Sequence, residues 1–210
     1  MFSTVNFKKD ALEKLKGNWT VPCLITLAAF AIMALANCSS YVVNETAGSL
    51  ITIFLSGTTI LAYTEFFVNS YKSGSKLGFA DFINGFSDFI KGTLAFLWMI
   101  LWITLWSILF VIPGIIKAIA YSQMFHVISE NPKIGVIKAM KISKIMTQGH
   151  KADLFILWLS FIGWDILSMF TGFILQIWII PYRNMALTSA YFYLKEEAFR
   201  TGILTPADFE

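Results

Sequence analysis

The feature that most constrains this chain is the alternation of long apolar runs, each with at most one charge, with short segments that hold nearly all of its lysines. Apolar runs cover residues 19–36, 47–68, 94–112, 115–129, 154–170 and 173–194. A helix crosses the hydrocarbon core with about 20 apolar residues. With 57% hydrophobic and 14% charged residues, the chain lacks the polar surface that a soluble fold of 210 residues needs. The apolar content also excludes disorder. The sequence predicts an all-α polytopic transmembrane bundle of about six spans, forming a single membrane domain over residues 1–210, with amphipathic helices at the interface.

Two of these spans adjoin others across glycine-containing breaks. Residues 94–129 would measure about 54 Å as one helix, nearly twice the hydrocarbon thickness. A turn at Pro113-Gly114 therefore explains the run better than a kink, and Thr171-Gly172 is read in the same way. The basic residues follow one side of this scheme. Lys8, Lys9, Lys14 and Lys16 lie in the arm 1–18, and Lys72, Lys76 and Lys91 between spans two and three. Lys133, Lys138, Lys141, Lys144 and Lys151 lie between spans four and five, and Lys195 and Arg200 in the tail 195–210. These total 14, against none in residues 37–46 or at the two glycine breaks. Cytoplasmic loops carry the Lys/Arg excess. The expectation is a multi-pass protein of the cytoplasmic membrane with both termini in the cytoplasm. No small-residue cleavage site follows the first run, which predicts an uncleaved first span.

Trp106 to Ile116 and Trp164 to Ile174 echo one another at a constant offset of 58 residues. This suggests a duplicated hairpin, although Trp, Ile, Leu and Gly recur often in membrane sequences. Phe79, Phe82, Ile83, Phe86, Phe89 and Ile90 recur at helical spacing and predict an amphipathic helix too short to cross. The arm predicts another, with Leu12 and Leu15 on its apolar face. Lys138, Lys141 and Lys144 repeat every third residue and form a basic stripe. That stripe reads either as lipid head-group contacts or as positive-inside anchoring.

Ionisable residues inside spans are costly and suggest function or structural pairing. Glu65, Asp165 and Arg183 are the candidates for an intramembrane polar path. Arg183 near mid-membrane demands an acid, and Pro181 frees a backbone carbonyl one turn before it. Lys117 either pairs with Asp165 near the outer face or extends along its own helix to that face. Cys23 and Cys38 are too far apart along one helix to be bridged. The two histidines, His126 and His150, are read as lone residues, one in a span and one in a basic loop, that make no metal pair. Ser122, Ser143 and Ser160 lack a nucleophile-elbow setting. No phosphate-binding loop is present, and Asn44-Glu45-Thr46 is a short match to a glycosylation acceptor. The expectation is therefore no enzyme, no cofactor, no metal and, at a net charge of +3, no nucleic-acid partner.

From residue 112 onward, four segments occur in a specific order: IPGIIKAIAYSQMFHVISENP (112–132), KAMKISKIMTQGHK (138–151), LFILWLSFIGWDILSMFTGF (154–173) and PYRNMALTSAYFYL (181–194). Together they resemble the bacterial integral membrane family known as domain of unknown function 975. LEKLKGNW (12–19) extends the resemblance loosely into the first half. The family is distantly similar to the membrane part of some glycerophosphodiester phosphodiesterases, whose chemistry belongs to a separate soluble domain. The resemblance implies a multi-span protein and transfers no catalytic residue; Arg183 stands where the family is usually uncharged. Two readings stay open. One is a non-enzymatic accessory or scaffold protein that contacts membrane lipids and binds a membrane partner or forms a homo-oligomer. The other is a small transporter or exporter of an amphipathic solute, lipid or peptide.

Overall fold

The computed structural model describes residues 2–74 and 78–209, and Lys76 lies outside them. Among the described residues the chain is helical, with no strand. The helices are α1 (Thr4–Leu15), α2 (Thr20–Val42), α3 (Glu45–Ser73), α4 (Phe79–Asn84), α5 (Phe89–Leu109) and α6 (Val111–Tyr121). They continue with α7 (Met124–Glu130), α8 (Val136–Met146), α9 (Lys151–Leu159), α10 (Ile162–Phe170) and α11 (Gln176–Arg200). Five stretches are long and apolar enough to cross a membrane: Thr20–Ser39, Glu45–Ser73, Phe79–Leu109, Val111–Glu130 and Lys151–Phe170. The sixth expected span falls within α11. That helix is long enough to cross but too polar to join the five, since it carries Arg183, Asn184, Lys195, Glu196 and Glu197.

α2 and α3 form the first hairpin. Asn44 begins α3 because its side chain accepts the Ala47 N–H at 2.8 Å, satisfying a first-turn donor. α3 then meets α5 almost backbone to backbone: a Cβ on Gly57 would lie 2.5 Å from the Gly92 carbonyl oxygen. Thr93 donates across this seam to the Phe54 carbonyl at 3.1 Å. Small residues that admit close backbone approach hold membrane helices together where water supplies no driving force.

Both expected breaks are turns; the second sits at Thr171-Gly172 as expected, whereas the first falls ahead of Pro113-Gly114. α5 ends at Leu109, Phe110 is extended, and α6 has already begun when Pro113 is reached. A first-turn N–H has no helical partner to lose, so Pro113 is tolerated there and marks the start of the helix. α6 folds back along α5, with Gly114 against Ser107. In the second hairpin Gly172 lies in the turn itself at φ +59, and the Phe173 N–H closes it on the Ser168 carbonyl at 2.8 Å. The echoed glycines therefore serve different roles, one in a helix and one in a turn.

The segment expected as one amphipathic helix is split. α4 is followed by a 3-10 turn over Gly85–Asp88, and α5 starts at Phe89. Phe82 is buried against Tyr63 and Phe86, whereas Phe79, Ile83, Phe89 and Ile90 are exposed. α1 is also more deeply embedded than its lysines suggest. Its inward face is Phe7, Ala11 and Leu15, while Leu12 is exposed. α1 lies antiparallel to α11, with Phe7 against Tyr193 and the Ser189 hydroxyl donating to Asp10. Lys8 donates to the Ser160 carbonyl at 2.9 Å, at the α9–α10 break, and burial pulls its pKa below the ordinary lysine value.

Apolar side chains are thus divided between two environments. Those left exposed gather on α2, α5, α6, α9, α10 and the hairpin ends. The buried core gathers around α1, α7, α8 and the later parts of α3 and α11, and includes Phe67, Met124, Met185 and Tyr191. The tail closes on this core. Phe209 packs on Phe199, and Asp208 accepts the Thr205 N–H at 2.7 Å and its hydroxyl at 2.8 Å. Those two hydrogen bonds hold the Asp208 carboxyl below the usual carboxylate range.

Candidate functional site

Asp165 lies in the first turn of α10, and Arg183 lies just beyond Pro181 in α11. The hairpin between them brings the Arg183 Nη1 to 3.1 Å from Asp165 Oδ2 and 3.3 Å from Oδ1. Gln176 adds a donor to Asp165 Oδ1 at 2.9 Å and another to Ser168 Oγ at 3.0 Å. The guanidinium also stands 5.3 Å from the Trp158 ring centroid, a geometry that suits its delocalised charge. The carboxylate therefore has two partners and the cation has a carboxylate and a π face. Gln176 Oε1 is buried with no hydrogen-bond partner.

Glu65 does not join them. It is half-buried on α3, and the charge that acts on it is another carboxylate, Asp88. It makes no ion pair among the described residues. The structure brings two of the three path residues together and leaves the third apart. Lys117 does not pair with Asp165 either. Its ammonium lies 4.4 Å from the Trp106 ring centroid, within electrostatic reach of Lys144 and Lys151, on the side of the loop lysines.

A second polar cluster has no counterpart in the sequence reading. Glu130 ends α7, and its carboxylate accepts the Tyr191 hydroxyl at 2.6 Å, the Lys195 ammonium at 2.7 Å and the Lys72 ammonium at 2.9 Å. Three helices, α3, α7 and α11, thus converge on one acid. One turn earlier on α7, His126 stacks on the Tyr191 ring at 5.3 Å and has Thr188 Oγ1 at 3.3 Å from Nε2. The signal that could have revealed the cluster is helical spacing: Glu130 follows His126 by four residues, as Lys195 follows Tyr191.

The basic stripe of α8 borders a third site. Lys138, Lys141 and Lys144 are exposed, while Ala139, Met140, Ile142, Ser143 and Met146 face the core. Ser143 fixes α8 against the α6–α7 break, donating to the Ala120 carbonyl at 2.8 Å and accepting the Gln123 N–H at 3.2 Å. Lys141 and Lys144 then line a cleft of about 260 Å³ with Lys117 and Tyr121 of α6 and Trp98, Trp102 and Trp106 of α5. Lys138 lies outside that cleft, close enough to Asp208 to act on its charge. On the other face of α6 an apolar cleft of about 450 Å³ runs between Ile115, Ile119, Phe155 and Trp158.

Among the described residues no group of three or more His, Cys, Asp or Glu side chains is placed to hold a metal ion. Cys23 and Cys38 are free. Compared with known proteins, the chain matches no curated protein and no solved structure. Residues 108–198, from the end of α5 to the later part of α11, match the family described as Protein of unknown function (DUF975), and through that segment the chain is similar to this family.

Proposed function

We propose that the protein is a non-enzymatic accessory or scaffold protein of the cytoplasmic membrane, with both termini cytoplasmic, that binds a membrane partner. What supports this reading is that the two opposite charges of the candidate path, Asp165 and Arg183, are used up on one another. Asp165 is held by Arg183 and Gln176, and Glu65 stands apart beside Asp88. A solute path needs polar groups open to the solute, whereas here the pair fixes the α10–α11 hairpin. The large apolar faces of α5, α9 and α10 remain available to lipid or to a partner's helices.

The test is extraction in mild detergent followed by native mass spectrometry and crosslinking in intact membranes. A stoichiometric partner or a defined oligomer is the expected result. A strictly monomeric, partnerless protein would overturn the proposal. The transporter reading requires Asp165 to exchange Arg183 for a solute. Solute flux in liposomes that disappears in Arg183→Ala would favour it.

A further inference from the structure

The cleft between α5, α6 and α8 joins two chemistries that rarely share a surface. Three ammonium groups, Lys117, Lys141 and Lys144, border one space of about 260 Å³. No carboxylate pairs with any of them among the described residues, although five ion pairs form elsewhere. Lys117 also lies within electrostatic reach of Lys144 and Lys151. Like charges gathered beside an apolar wall repel one another, and an anion placed among them turns that repulsion into attraction.

The opposite wall is aromatic. Trp98, Trp102 and Trp106 are spaced four apart on α5 and form a half-buried stripe, with the Trp98 and Trp102 rings edge to face at 5.9 Å. Indoles favour the boundary between head groups and hydrocarbon, where an apolar body and a polar N–H are both satisfied. Tyr121 is 6% exposed, lines the same space, and has no hydrogen-bond partner among the described residues, which leaves a hydroxyl donor for a ligand. The outward neighbours of the stripe are Leu97, Leu101 and Leu105, all exposed. The cleft therefore opens among lipid-facing side chains, which favours an amphiphile over a soluble ion.

We infer that this cleft binds the phosphate of an anionic phospholipid. Lys117, Lys141 and Lys144 take its charge, Tyr121 donates a hydrogen bond, and the tryptophan stripe lies along its glycerol and upper acyl chains. At about 30 Å³ of liquid volume per water molecule, the cleft is large enough for a phosphate with attached glycerol. This holds whether or not the protein is an accessory protein, because it concerns only how one face meets lipid.

The test uses the full chain, stripped of lipid in a neutral detergent and titrated separately with phosphatidylglycerol, phosphatidylcholine and inorganic phosphate. Native mass spectrometry counts the adducts, and thermal stabilisation reports affinity. The expected result is a saturable phosphatidylglycerol adduct at least tenfold tighter than phosphatidylcholine, with no response to inorganic phosphate. Each of Lys117→Gln, Lys141→Gln and Lys144→Gln should weaken it about fivefold, and the triple variant about a hundredfold. A control triple variant, Lys9→Gln, Lys16→Gln and Lys133→Gln, removes the same charge from exposed positions elsewhere and should change affinity less than twofold. Equal binding of both lipids, an unchanged cleft variant, or a control that falls as far as the cleft variant would each overturn the site. Saturable binding of inorganic phosphate at matching concentration would reassign it to a soluble anion and overturn the lipid. Matched melting of the cleft and control variants without lipid guards against misfolding.

Discussion

Removing the Glu130 carboxylate is the most informative perturbation of the fold. Glu130→Leu leaves three donors to be satisfied. Lys72 is 41% exposed and turns to water at little cost. The Tyr191 hydroxyl cannot follow, because the residue is fully buried, and an unmet buried donor costs about 1–3 kcal/mol. Lys195 is 18% exposed and keeps only its positions near the Phe199 and Phe209 rings, at 5.5 and 4.7 Å. Breaking a buried pair by removing one partner costs about 3–5 kcal/mol, and the partial exposure of Lys72 places this case toward the lower end. For a chain of this size that corresponds to a fall in Tm of roughly 6–20 °C. Thermal unfolding in detergent, followed by tryptophan fluorescence, measures it. Glu130→Gln keeps an acceptor for Tyr191 and should lose about half as much. Adding Tyr191→Phe to Glu130→Leu removes the stranded hydroxyl and should recover about 1–3 kcal/mol. If Glu130→Leu melts within about 0.5 kcal/mol of the parent, the cluster does not tie α3, α7 and α11 together and the reasoning is wrong.

Further outcomes follow from other contacts. Asp165→Ala strands Arg183 and should destabilise, whereas Asp165→Leu combined with Arg183→Met should be more stable than either single change; equal melting of all the variants would show the pair to be idle. Gly57→Ala places a methyl group against the Gly92 carbonyl and should cost about 1–3 kcal/mol, read by the same unfolding assay, with no loss arguing that α3 and α5 stand further apart. The folded pKa of Asp208 is depressed, so the tail contact it supports is complete above the ordinary Asp value and is lost as pH falls through the depressed one. Hydrogen exchange over residues 201–209 should rise across that acidic window in the parent, and Asp208→Asn should remove the pH step. Cys38 is exposed near the α2–α3 turn and should react with a membrane-impermeant thiol reagent from the outer face of intact cells; labelling only from the cytoplasmic face would invert the proposed orientation.

The apolar runs were legible because crossing hydrocarbon depends on length and polarity, which a single sequence carries. The hairpin ends were legible only roughly. Pro113-Gly114 advertises a break, but proline is cheap in the first turn of a helix, so the chain reverses at Phe110, three residues earlier. The split of residues 151–170 into α9 and α10 falls between Ser160 and Gly163, a weak local signal inside an apolar run, and Lys8 of a distant helix donates to the Ser160 carbonyl there. Arg183 demanded an acid, and Asp165 was within reach by helical rise alone. Glu65 shares with them only a place inside a span, which says nothing about which side of the bundle a residue faces. Glu130 is an acid at the end of an apolar run, a position that reads as the start of a loop. Its partners come from α3 and α11, remote in sequence. The lysine stripe of α8 was visible as periodicity, but the tryptophans opposite it became part of one site only when α5, α6 and α8 packed.

The seam between Gly57 and Gly92 has a mechanical consequence. Two helices whose backbones touch cannot rotate or slide past one another without a collision, so α3 and α5 behave as one stiff block. Beyond α6 the packing is looser, because an apolar cleft of about 450 Å³ opens between it, α9 and α10. Movement in a fluid bilayer is expected there, with α9 and α10 shifting while α11 stays tied to α3 and α7 through Glu130. Sequence change should follow the same division: bulk is forbidden along the glycine seam, while the cleft accepts larger and smaller apolar side chains alike.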